Sequence, residues 1–117
     1  MTYRVMSNLR GGRATLLYTA ANNADLKTAL AVNGEVIRGL RINSAWLGSN
    51  VAASATIARG ANTVLVVPSG MEVVDFASSK MPMALDAAAN VSTTFSAAGT
   101  HTLIVEFQKE SDKEDAV

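Results

Sequence analysis

The chain has 117 residues, no cysteine, a single histidine and a formal net charge of zero. That length is one domain's worth, and the missing thiols remove disulfides, thiolate-bound zinc, iron–sulfur clusters and cysteine nucleophiles together. Balanced charge argues against a protein whose main business is gripping nucleic acid or an anionic membrane.

Hydrophobic residues make up 49% of the chain, but twenty residues are alanine, which buries little area. The core must be built from a modest set of Leu, Ile, Val, Phe and Trp, so a thin two-layer domain is expected. Residues 1–41 carry six Lys/Arg against two acids, and the last nine residues carry four acids and two lysines. The N-terminus lacks the apolar core of a secretory signal, and no stretch approaches a membrane-spanning helix.

Taken in order, residues 1–13 read as a flexible N-terminal arm. Residues 1–6 within it are a possible edge strand, and the rest is a basic loop around Gly11-Gly12 that lacks the phosphate-loop pattern. Residues 14–20 alternate as a strand. Asn22-Asn23 then offers caps for one short helix over residues 23–31, with Leu26 and Leu30 on one face at i, i+4 and Asn33-Gly34 to end it.

Residues 40–47 form the central strand, which holds the only tryptophan. Strict alternation puts Leu40, Ile42, Ser44 and Trp46 on one face and Arg41, Asn43, Ala45 and Leu47 on the other. With six aromatics in the whole chain, Trp46 is expected in the core rather than on a ligand platform. Residues 53–58 and 63–67 make a hairpin across Arg59-Gly60-Ala61-Asn62, and the β-branched run Thr63 to Val67 reads as a strand covered on both faces. Residues 71–76 are another strand, Pro82 sits in loop, and residues 85–90 form a helical turn. Residues 91–95 and 100–108 close the domain as a last hairpin. In the second of these His101, Leu103, Val105 and Phe107 oppose Thr102, Ile104 and Glu106.

The chain is therefore all-β: an antiparallel β-sandwich, jelly-roll or Ig-like, of seven or eight short strands with one helix. Its domain spans residues 14–108, followed by a charged C-terminal tail at 109–117 that is expected to be disordered on its own.

The motifs carry little chemistry. One histidine excludes two-histidine metal ligation, and His101, on the inward face of a strand, reads as a packed, hydrogen-bonded residue. Glu72 and Asp75 fall on opposite faces of a strand, where they are badly placed to share a proton. No loop clusters enough acids for calcium. No cofactor, metal or catalytic residue is assigned. Tyr3, Arg4, Arg10 and Arg13 form the candidate partner interface, since tyrosine and arginine are favoured where proteins meet.

The segments I-N-S-A-W at 42–46, T-I-A-R-G-A-N-T-V-L-V-V at 56–67 and L-D-A-A-A-N-V at 85–91, in an alanine-, serine- and threonine-rich chain without cysteine, resemble small virion proteins of tailed bacteriophages, head decoration (cement) proteins in particular. The resemblance implies a non-enzymatic structural protein on the capsid surface that binds major capsid subunits and bridges them. Other readings are a neck, tail or fibre-base component, or a carbohydrate-binding β-sandwich using Trp46 and Tyr18.

Overall fold

The computed structural model describes residues 3–9, 12–32, 34, 37–59, 62–70, 72–74, 81–82 and 90–111. The chain is extended over β1 Tyr3–Asn8, β2 Arg13–Tyr18, β3 Asn22–Ala24, β4 Ile37–Ser49, β5 Ser54–Arg59, β6 Asn62–Pro68, β7 Glu72–Val74, β8 Met81–Pro82, β9 Val91–Phe95 and β10 His101–Ser111, with apolar and polar residues alternating most clearly in β2, β5 and β10. Among the described residues there is one helical turn, α1, over Leu26–Ala29.

Pairing is nested. β2 pairs with β10, β3 with β9, β4 with β7 and β5 with β6, all antiparallel. The chain is thus one long ribbon whose tip is the β5–β6 turn, rolled so that its strands divide between a six-stranded sheet (β1-β2-β10-β4-β7, with β8 on β4) and a four-stranded sheet (β3-β9-β5-β6). That order is a jelly roll with β1 added at one edge. An Ig-like sandwich would keep its last two strands together in one sheet. Here β9 and β10 lie in different sheets, so the expected last hairpin is a crossover. A short loop joins strands that face each other across a core as readily as strands that pair, and periodicity does not distinguish the two.

The core lies between the sheets. β10 contributes His101, Leu103, Val105, Phe107 and Lys109 without a break, and β2 contributes Ala14, Leu16 and Tyr18. β4 contributes Ile37, Leu40, Ile42, Ala45 and Leu47, whose spacing changes from two to three at two places. Both are β-bulges against β10: Phe107 faces Ile42 and Glu106 faces Ser44, leaving Asn43 extra, while Ser111 faces Ile37 and Glu110 faces Gly39, leaving Arg38 extra. One extra residue turns every later side chain to the other face. This corrects the strict alternation expected over residues 40–47: Ala45 and Leu47 join Leu40 and Ile42 inside, and Trp46 is 40% exposed rather than in the core.

Other expectations shift for local reasons. The helix expected over 23–31 is a single turn, because Asn22 to Ala24 pair with β9 and the turn opens at Asp25, whose carbonyl accepts from Ala29 N–H. Leu26 and Leu30 are nevertheless fully buried at i, i+4. There are ten strands among the described residues instead of seven or eight, because β3 and β8 are too short to leave a periodic signal. β6 edges the four-stranded sheet with Val66 49% exposed, so its β-branched run is not covered on both faces. Residues 3–8 form an edge strand paired with β2, as considered for residues 1–6, and are not free as an arm. The turn expected at 85–90 lies outside the described residues except for Asn90, and residues 112–117 of the tail lie outside them entirely.

The tail begins later than expected, since β10 runs to Ser111. Lys109 is 2% exposed; its Nζ donates to Asn8 Oδ1 at 2.6 Å and to the Leu30 carbonyl at 3.1 Å. Asn8 Nδ2 donates to the same carbonyl at 3.0 Å. One ammonium thus ties the ends of β10, β1 and the α1 segment together. Replacing it with Ala takes a charged donor from Asn8 Oδ1 and one of two donors from the Leu30 carbonyl, and Lys109→Ala is expected to lower unfolding free energy by about 2 to 4 kcal/mol. Urea unfolding checks this: the midpoint falls with an unchanged slope, and an unchanged midpoint contradicts the contact.

Candidate functional site

Because antiparallel partners share a face, the registers of β1, β2, β10 and β4 assemble rows across the outer face of the six-stranded sheet. Arg4 is opposite Leu17, Leu17 opposite Ile104 and Ile104 opposite Trp46. The next row is Ser7, Thr15, Glu106 and Ser44, and beyond it come Arg13, Gln108 and Arg41. The face is divided: an apolar strip of Leu17, Ile104 and Trp46, then polar and charged rows.

Trp46 projects towards Gly48, two residues on and on the same face. A Cβ at Gly48 would stand 2.6 Å from Trp46 Cη2 and 3.2 Å from both Cζ2 and Cζ3, so glycine provides the floor on which the six-membered ring rests. At the other end of the strip, Tyr3, Arg4, Leu17 and Thr19 line an open hollow of about 260 Å³. That is below the usual size of a small-molecule or cofactor pocket and suits a single inserted group. Arg4 is exposed and has no ion pair among the described residues, whereas Arg13 Nη1 lies 3.7 Å from Glu106 Oε2.

Of the sequence-predicted interface, then, Tyr3 and Arg4 come together. Arg13 sits at the opposite end of β2, about 17 Å away along the strand, and Arg10 lies outside the described residues. Leu17, Thr19, Ile104 and the outward Trp46 were not part of that prediction. Alternation did separate Leu17 and Ile104 from their core neighbours; what it lacked was the register that lines them up.

His101 is held as a packed residue. It is 5% exposed and stacks on Phe95 of the other sheet, with centroids 4.4 Å apart and planes 9° apart. The Ala97 carbonyl, 2.8 Å from Nε2, only accepts, so Nε2 carries the proton, and Nδ1 accepts from Ser49 Oγ at 2.9 Å. Ser49 Oγ in turn accepts from Val51 N–H at 3.2 Å. A serine hydroxyl aimed at an imidazole is half of a nucleophilic relay. Here the group orienting the ring is a backbone carbonyl, and the chain of bonds fastens the β9–β10 crossover to the end of β4. Among the described residues no group of three or more His, Cys, Asp or Glu could hold a metal ion, and no helix is long and apolar enough to cross a membrane.

Tyr18, the second ring proposed for sugar stacking, is 1% exposed, which removes it from any platform; its residue number parity with Leu16 places it in the core. Burial holds its phenol well above the usual value near 10, and neighbouring Tyr3, its ring centroid 5.8 Å away, adds to the rise. The buried Thr93 hydroxyl draws it partly back, although neither hydroxyl has a partner at hydrogen-bond geometry.

No protein family model, curated protein or solved structure matches the chain.

The Tyr18 phenol has a measurable consequence. Its folded pKa is raised above its unfolded one, so its contribution to stability is complete below about pH 10 and is lost as pH climbs from there towards the folded value. Tyr18→Phe is expected to flatten that alkaline loss and to leave stability at pH 7 unchanged or higher, because it removes a buried hydroxyl without a partner. Urea midpoints of both proteins at neutral and alkaline pH check this; a variant clearly less stable at pH 7 contradicts it.

Proposed function

We propose that the chain is a virion structural protein of a tailed bacteriophage, a capsid decoration (cement) protein that binds the outer surface of the head and bridges neighbouring major capsid subunits. The reading is non-enzymatic: the protein works by covering surface. The observation that carries it is the outward apolar strip of Trp46, Ile104 and Leu17, since large side chains aligned on the solvent face of a sheet favour association. Support also comes from the residues that resemble virion proteins and from the jelly-roll order, an architecture shared by viral capsid domains and lectins and so an argument by analogy. A lean core is no handicap in this role, because many copies on a repeating lattice gain avidity from modest single contacts.

A carbohydrate-binding module is the second reading. The exposed Trp46 favours it, but the ring meant to pair with it, Tyr18, is buried.

Quantitative mass spectrometry of purified virions tests the first reading. A copy number commensurate with the major capsid subunit, together with antibody labelling over the head surface, is the expected result. Absence from the particle contradicts it, and a ring-sized handful of copies transfers the protein to the neck, tail or fibre base.

A further inference from the structure

We infer that β6 is an open sheet edge that pairs, antiparallel, with β6 of a second copy of this chain, about a two-fold axis through Val66. The pairing stands on the geometry of the strand; its consequence for bridging rests on the decoration reading above.

A sheet ends in unpaired N–H and C=O groups, and proteins defend such ends with charge, bulges, proline or brevity. Most outer strands described here are defended. β1 carries Arg4 and a bulge between Val5 and Ser7. β3 and β7 are three residues long, and β8 is two, one of them Pro82. β6 differs: it has seven residues, it ends the four-stranded sheet, and no charged residue occurs from Gly60 to Met71. Its bulge leaves Val64 extra and Pro68 closes it, so Leu65-Val66-Val67 is regular, undefended edge.

One bond beyond the strand fixes which way its backbone points. Ser69 N–H donates to the Ala53 carbonyl at 2.9 Å, so Val67 and Leu65, in step with Ser69, turn their backbone groups towards β5. Val66 therefore turns its N–H and C=O away from β5, where no described residue takes them up. Its side chain is 49% exposed. Leu65 stands opposite the fully buried Ile57, on the core side, yet is only half-buried. The core lacks cover where the ladder lacks a partner.

A second copy supplies both. A two-fold axis through Val66 lets Val66 of each copy exchange both N–H···O bonds with the other, and lays Val67 of the second copy beside Leu65 on the core side. Pro68, without an N–H to give, falls opposite Val64, outside that pair. No like charges meet, and apolar β-branched residues face their own kind. A foreign strand would find the same two bonds but no charge on β6 to select it. The axis of such a pair stands perpendicular to the sheet, so both six-stranded sheets turn their outer faces the same way. One dimer then offers two strips of Trp46, Ile104 and Leu17 to one surface, as bridging requires.

Sedimentation equilibrium of the purified full chain over rising concentration tests this, with a monomer–dimer equilibrium as the expected result. Val66→Lys and Val66→Glu each set like charges side by side and are expected to weaken the dimer about ten-fold or more. An equimolar mixture of the two variants is expected to restore it. Circular dichroism and a urea midpoint confirm that both variants fold. The inference is overturned by a wild-type chain that stays monomeric, by a dimer that neither substitution weakens, or by variants that associate no better mixed than alone. A dimer lost in Trp46→Ser but kept in Val66→Lys places the contact on the strip and overturns it too. Sedimentation needs no virion and virion copy number needs no dimer, so this inference and the decoration reading fail separately.

Discussion

The ladder between β4 and β10 is the constraint on which the rest of the molecule depends. It runs from His101 opposite Ser49 to Ser111 opposite Ile37, and β10 stays in strict alternation from His101 to Lys109. β4 keeps step only by carrying two extra residues, Arg38 and Asn43. Without the extra residue at Asn43, either Leu40 and Ile42 or Ala45 and Leu47 would face water. The bulge resolves that conflict in favour of the core, and the outward Trp46 is its by-product. The apolar strip is therefore set by register rather than by any local motif.

The same ladder sets the ends of the domain. At one end His101 links Ser49 and Ala97 and stacks on Phe95, which joins the two sheets. At the other, Lys109 reaches Asn8 and the Leu30 carbonyl. A sandwich whose interior includes Ala14, Ala45 and Ala55 has limited apolar area to bury, so polar fastenings at its two ends matter more than they would in a thicker one.

Much of the fold was legible in the sequence, because period-2 alternation reports directly on extended chain with one buried face. The residues of β2, β5 and β10 could be sorted into inner and outer sets, and the buried Leu26 and Leu30 were marked by their spacing. Three things were not legible. A bulge is one residue long and carries no compositional sign, so Trp46 was placed on the wrong face. Pairing partners are non-local, so the β9–β10 crossover read as a hairpin and β6 as an interior strand. Charge-rich composition suggested a tail from Lys109, but one buried ammonium with acceptors from two other segments outweighs that average. Of the candidate interface, Tyr3 and Arg4 were found by residue type, while the strip they adjoin required the register.

The account turns on Asn43 sending the lone indole outward, and tryptophan fluorescence with acrylamide as quencher measures that most directly, because one residue supplies the whole signal. The native protein is predicted to emit at wavelengths close to those of the unfolded chain and to be quenched readily while still folded. A blue-shifted native emission that acrylamide reaches only after unfolding would contradict it.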